Sequence, residues 1–156
     1  MTAEAYFIDV NVPMYAAGGE HPNRESCVWV MTAIARGELQ AVADVEIVQE
    51  IFHRYGSLGR WDVADSMARN VLRLIPVLLP ITVEDMWATT ELARQYGPTH
   101  GIPARDLIHA AVMRNNGLRL IVSTDKHFDR IAGLTRIHPQ QLMESDSAPQ
   151  QKGRDE

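Results

Sequence analysis

The chain has 156 residues, enough for one domain that buries about two-thirds of its unfolded surface, so no second domain is required. Its single cysteine, Cys27, excludes an internal disulfide framework and a cysteine-built zinc site; the acids Glu4 and Asp9 stand where a basic flank and a long apolar segment would mark a signal peptide or membrane span. A formal net charge of −5 argues against a protein that coats nucleic acid nonspecifically, and the expected compartment is the cytoplasm.

In chain order, Ala5 to Ile8 is a short apolar run of β character closed by Asp9, and Pro13 suits the first turn of a helix beginning just after it. Asn23 is placed to cap a helix whose apolar residues Cys27, Val30, Met31 and Ile34 recur at helical spacing, with Gly37 as its stop. Gln40 to Ala43 reads as a second, weaker strand. Asp44 then caps a helix with the stripe Ile47, Val48, Ile51, Phe52 and Tyr55, and Glu46 and Glu50 lie side by side off that stripe. Gly56 to Gly59 break the chain before a helix from Trp61 to Ile75 that buries Ala64, Met67, Ala68, Val71 and Leu72. Past Pro76, Val77 to Ile81 form a short apolar run, and Thr82-Val83-Glu84-Asp85 has the form of a capping box for a helix that stops at Gly97-Pro98.

Gly101 to Pro103 turn into a helix that carries Asp106 near its start and ends at Gly117. Leu120 to Val122 make a strand followed by Ser123-Thr124-Asp125, and Thr135 to Ile137 a last one. Residues 1–140 are expected to form the domain and residues 141–156 a polar, disordered C-terminal tail. Short apolar runs alternating with amphipathic helices imply an α/β fold with a parallel sheet covered on both faces. In such sheets ligands sit beyond the carboxyl ends of the strands and at helix starts. Asp9 and Asp125 close strands and Asp106 begins a helix, which points to one shared site.

Around that site the charge balance reverses. Residues 97–138 hold Arg105, Arg114, Arg119, Lys126, Arg130 and Arg136, together with His100, His109, His127 and His138, against Asp106, Asp125 and Asp129 alone. With the acids neutralised by a cation, this stretch would attract phosphate; taken one by one, the same charges read equally as solvated surface. Magnesium and manganese take hard oxygen ligands, which Asp9, Glu50, Asp106 and Asp125 supply. Four carboxylates converging without a cation would raise one another's pKa values. Taken singly, Glu50 is served by an i,i+4 pair with Arg54, and Asp106 by the dipole at a helix start.

The ordered set goes further. Phe7-Ile8-Asp9-Val10-Asn11, Val48-Gln49-Glu50-Ile51, Ala104-Arg105-Asp106-Leu107-Ile108-His109-Ala110-Ala111 and Ser123-Thr124-Asp125-Lys126-His127-Phe128-Asp129 resemble, in order and spacing, the four acidic motifs of PIN-domain ribonucleases, most nearly the VapC-type toxins of bacterial toxin–antitoxin pairs. The resemblance covers about residues 5–138. It implies a PIN-like three-layer α/β/α sandwich with a central parallel sheet, binding one or two Mg2+ or Mn2+ ions. It further implies an endoribonuclease that hydrolyses RNA phosphodiester bonds with metal-activated water.

Carried over to this chain, Asp9, Glu50, Asp106 and Asp125 become the metal-site acids, with Asp129 as a further acid of the fourth motif. Asn11 orients Asp9. Val10 stands where the family usually has a hydroxyl. Thr124 or Ser123 is placed to hydrogen-bond a carboxylate or phosphate, Arg105 and Lys126 are candidates for phosphate contacts, and His127 reads as a surface histidine. The resemblance also implies a cognate antitoxin partner and a homodimer formed through the helices around Cys27 to Ile34 and Ala64 to Leu72, beside Trp29 and Trp61. Two other readings compete: a PIN fold that only binds, favoured by Val10, and a haloacid-dehalogenase-type phosphohydrolase, which needs a second aspartate where Asn11 stands.

Overall fold

The computed structural model describes residues 4–147. Among them, five short strands form one parallel sheet: β1 (Tyr6–Ile8), β2 (Ala41–Asp44), β3 (Val77–Leu79), β4 (Leu120–Val122) and β5 (Thr135–Ile137), ordered β3-β2-β1-β4-β5. Phe7 is level with Val42 of β2 on one side and Ile121 of β4 on the other. The chain builds outward from β1 through β2 to β3, then returns to place β4 and β5 on the opposite side. The winding therefore reverses between β1 and β4, and the crevice beyond their carboxyl ends is where such a sheet offers a binding site.

Among the described residues, seven α-helices cover the sheet: α1 (Asn11–Ala17), α2 (Arg24–Ala35), α3 (Glu46–Ser57), α4 (Trp61–Leu74), α5 (Val83–His100), α6 (Ala104–Asn115) and α7 (Pro139–Ser147). Side chains alternate across a strand, so consecutive residues feed opposite cores. Ile8 and Val122 pack with Val12, Cys27, Val30, Ile47, Ile51 and Met67 of α1 to α4. Phe7 and Ile121 pack with Leu92, Tyr96, Leu107, Ala110 and Met113 of α5 and α6. Two apolar layers on either face make the expected three-layer α/β/α sandwich. Each fully buried Ile, Val or Phe contributes about 1.5–3 kcal/mol relative to exposure.

Several local expectations change. Helix α1 begins at Asn11, directly after Asp9-Val10, and takes Pro13 as its third residue. The weak second strand is an interior one, buried along its length. Asp44 ends that strand instead of occupying the cap position of α3, although its Oδ1 still accepts the Glu46 N–H at 3.1 Å. The Thr82–Asp85 capping box forms in both directions, at 2.9 and 3.2 Å. Helix α5 then runs through Gly97 and Pro98 to Gly101, whose φ of 60° supplies the left-handed stop. Burial of Leu92 and Tyr96 along this helix favours its continuation past the glycine and the proline.

The polar tail also needs correction. Its first residues belong to α7, which packs against α2 and places Leu142 on the core around Val30 and Ile34. Hydrogen bonds at both ends of the helix help: Gln141 Oε1 accepts the His138 N–H at 2.8 Å, and Ser145 Oγ donates to the Leu142 carbonyl at 2.9 Å. The remainder of the expected tail, residues 148–156, lies outside the described residues. No helix among the described residues is long and apolar enough to cross a membrane.

Candidate metal centre

Asp9 follows β1 directly, and its carboxylate is fixed from three directions. Oδ1 accepts the Val10 N–H at 2.8 Å, while Oδ2 accepts Asn11 Nδ2 at 3.1 Å and Ser123 Oγ at 2.6 Å. Ser123 follows β4, so these contacts tie together the ends of the two strands between which the winding reverses. Its hydroxyl also accepts the Asp125 N–H at 2.9 Å and Asn11 Nδ2 at 3.2 Å. Asn11 thus touches both Asp9 and Ser123 through its side-chain nitrogen. The hydroxyl contact comes from Ser123, whereas Thr124 enters through its backbone N–H, which donates to Asn11 Oδ1 at 3.4 Å. Thr124 as a side-chain hydrogen-bonding residue is thus replaced by its neighbour, because the strand directs Ser123 inward to full burial.

Glu50 lies on α3 beside Ile47 and Ile51, within the buried face and only 4 % exposed. Its partner is His109 of α6, not Arg54: Glu50 Oε1 lies 2.6 Å from His109 Nε2. The other side of the imidazole, Nδ1, lies 2.7 Å from Asp44 Oδ2 at the end of β2. Burial alone would lower the His109 pKa, but the hydrogen bonds to Asp44 and Glu50 outweigh it and hold the ring well above its ordinary 6.5. Glu50 Oε2 is buried with no hydrogen-bond partner among the described residues.

Asp106 sits in the first turn of α6 and Asp125 caps a short 3₁₀ helix, Lys126–Arg130, accepting the His127 N–H at 3.0 Å. His127 Nδ1 lies 3.2 Å from Asp106 and 3.0 Å from Asp125 and bridges the two acids. His127 is therefore part of the constellation and not a detached surface histidine. Asp129 is drawn away from it: its carboxylate forms a bidentate pair with Arg136 at 2.9 and 3.0 Å, and this hydrogen bonding lowers its pKa. Burial and the neighbouring Glu50 raise the pKa of Glu46, and the partly buried Arg105 opposes that shift through its charge. Lys126 is exposed, and its charge adds to the lowering of Asp129.

At Asp9 and Asp106 burial dominates the electrostatics, with the neighbouring carboxylates adding to it. Burial raises the Asp9 pKa from 3.8 to about 7 against the opposing influence of His109 and the Ser123 hydroxyl, and the nearby Asp106 and Glu50 raise it further. Burial likewise raises Asp106, helped by Asp125 and opposed by His127. Among the described residues, donor atoms gather in two groups, Asp9 with Glu50 and His109, and Asp106 with Asp125 and His127, and within each group they lie no more than 4.8 Å apart. Dense hard oxygens, an Asp9 carboxyl whose pKa burial raises to about 7 and an orphaned Glu50 oxygen together fit a divalent cation of the magnesium or manganese kind.

Asp44 and His109 are the residues that sequence reasoning missed. Asp44 closes β2 as Asp9 closes β1, and His109 stands one turn beyond Asp106 among Leu107, Ala110 and Ala111, a polar residue on an apolar helix face. That pattern was the available signal.

The sequence profile of the PIN domain matches residues 6–134, and the chain belongs to this family. Ribonuclease VapC13 of Mycobacterium tuberculosis is 28% identical over 130 residues, which cover 83% of this chain and 97% of that protein. The Sarcin-Ricin loop cleaving toxin VapC20 of the same organism has the same fold, with a TM-score of 0.71 at 15% identity over 86% of this chain and all of that one. A toxin–antitoxin complex from Klebsiella pneumoniae contains a further chain of this fold, with a TM-score of 0.59 at 14% identity over 86% of this chain and 98% of that one. The haloacid-dehalogenase alternative falls away, since Asn11 contributes an amide that holds Asp9 where that chemistry needs an acid.

Proposed function

We infer that the protein is a divalent-metal-dependent endoribonuclease and the toxin of a toxin–antitoxin pair. The observation that carries this reading is the buried Asp9, its pKa raised to about 7 at the point where the winding of the sheet reverses, together with the buried and unpartnered Glu50 Oε2. Similarity to proteins named as VapC ribonucleases supports the substrate class.

In this reading Asp9, Glu50, Asp106 and Asp125 hold Mg2+ or Mn2+. Bound there, the cation would lower the pKa of a water molecule and stabilise charge developing on a phosphodiester. Asn11 and Ser123 keep the Asp9 oxygens in place, so ligand geometry does not have to be bought by ordering on metal arrival. His127 lies between Asp106 and Asp125 and contacts a carboxylate oxygen of each. Arg105 and Lys126, on either side of the acids in sequence, offer phosphate contacts that position an RNA strand without reading its bases. No residue is required to form a covalent intermediate.

An apolar groove of about 770 Å³ lies away from the acids, between α1, α2 and α4, lined by Val28, Met31, Ala35, Val63, Met67 and Leu74 among others. These are the helices whose surplus apolar residues suggest a homodimer in the sequence. We assign the groove itself to an amphipathic segment of the antitoxin, the kind of ligand that fits an apolar channel between helices, and the homodimer stands beside it as a proposal for the same helices. The test of function is RNA cleavage by purified protein with Mg2+ or Mn2+ and with a chelator. Cleavage that needs the metal and disappears in Asp106→Asn supports the reading, and metal-independent cleavage or none at all overturns it.

A further inference from the structure

The chain from Asp44 through His109 to Glu50 is buried and continuous. His109 is 1 % exposed, its ring lies 5.3 Å from that of Phe7, and its two nitrogens face carboxylate oxygens at 2.7 and 2.6 Å. Each ring nitrogen is engaged by a carboxylate, so the imidazole is held from both sides and neither nitrogen is free for another partner. Hydrogen bonds this short are directional and fix the orientation of both groups. Asp44 is anchored in turn by the Glu46 N–H in the first turn of α3, the helix that carries Glu50. The loop of contacts therefore closes on itself, from α3 to the end of β2, across to α6 and back to α3.

Its effect falls on one atom. With Oε1 occupied by His109, Glu50 cannot rotate freely or offer both oxygens to a cation, and Oε2 is the oxygen left buried and unpartnered. We propose that His109, held by Asp44, is a positioning residue that fixes Glu50 so that Oε2 alone is presented to the divalent metal. This inference rests on the metal-dependent reading above and adds a residue pair outside the four acids. His109 acts through Glu50 and does not itself bind the metal.

The two nitrogens allow a test that separates this role from simple packing. The side-chain nitrogen of glutamine can stand in for Nε2 and keep the bond to Glu50, whereas that of asparagine stands in for Nδ1 and keeps only the bond to Asp44. Loss of a hydrogen-bonding partner behind a metal ligand typically weakens metal binding roughly 10–100-fold. His109→Asn is therefore expected to weaken Mn2+ binding, measured by titration calorimetry, by roughly 10–100-fold, with His109→Gln within about threefold of wild type. The cleavage defect of His109→Asn should shrink as Mn2+ is raised to saturation. Circular dichroism and urea unfolding establish that both variants are folded. If His109→Asn is not folded, the glutamine variant alone decides, since loss of Mn2+ affinity in folded His109→Gln overturns the proposal. Equal affinity in both variants and wild type also overturns it, as does a directly coordinated imidazole nitrogen in the electron spin-echo spectrum of the Mn2+ protein. Wild type that neither binds Mn2+ nor cleaves RNA defeats the functional reading itself. Wild type that does both, with Asp9→Asn inactive and the His109 variants unaffected, defeats only this inference.

Discussion

Replacing Asp9 by asparagine should stabilise the metal-free protein above neutral pH while abolishing its response to divalent metal. Asp9 is 3 % exposed and titrates at about 7 instead of 3.8, chiefly because it is buried. The unfolded chain releases this proton near pH 4 and the folded chain holds it to about pH 7. Metal-free stability therefore falls as pH rises through that window and levels off above it. Each pH unit between the two values is worth about 1.4 kcal/mol, so ionised Asp9 costs the folded state on the order of 4 kcal/mol at pH 8. Asparagine retains an oxygen for the Val10 N–H but weakens the Ser123 contact and the attraction to His109, a loss of about 1–2 kcal/mol. The net gain at pH 8 is then roughly 2–3 kcal/mol, or about 4–12 °C in Tm for a chain of this size. At pH 5 wild-type Asp9 carries its proton and the gain disappears. Urea unfolding in a chelator at pH 5 and pH 8 measures this, and repeating it with Mn2+ measures the metal response. Wild type should gain about 2.7 kcal/mol at a metal concentration one hundred times Kd, and the variant nothing. Wild-type stability that stays level between the two pH values, with a variant no more stable at pH 8, would refute the reasoning.

Other substitutions separate the parts of the site. Ser123→Ala removes the hydroxyl that donates to Asp9 and accepts from Asp125 N–H, which should cost about 1–3 kcal/mol in urea unfolding and slow RNA cleavage roughly tenfold or more. Asp129→Asn breaks the pair with Arg136 at a half-exposed carboxylate and should cost less than about 1 kcal/mol, with initial cleavage rates unchanged; a tenfold loss would return Asp129 to the site. Val28→Glu places a charge in the apolar groove and should prevent neutralisation by the cognate antitoxin without altering cleavage by the free toxin. Neutralisation that survives the substitution would move the antitoxin off this face.

The parts of the molecule legible in the sequence were those specified locally. Tyr6 to Ile8 and Leu120 to Val122 announce themselves as short apolar runs, and Thr82 with Asp85 carries its own cap. Asp9, Asp106 and Asp125 stand at strand ends and a helix start, positions that any open parallel sheet makes available. What sequence pattern could not supply were contacts set by tertiary packing. Helix α5 overrides Gly97-Pro98 because Leu92 and Tyr96 are anchored in the core, and α7 forms on the surface that α2 provides. Asp44 and His109 are 65 residues apart and acquire meaning only when β2 and α6 converge on Glu50. The pairing of Asp129 with Arg136 of β5 is likewise a tertiary contact that no local pattern announces.

The central claim is that these buried acids hold a catalytic divalent cation. The most direct measurement is anomalous diffraction from crystals of the protein soaked in Mn2+. The account predicts a manganese peak within coordinating distance of Asp9 and Asp106, absent in crystals of Asp9→Asn. A peak elsewhere on the molecule, or a persistent one in the variant, would contradict it.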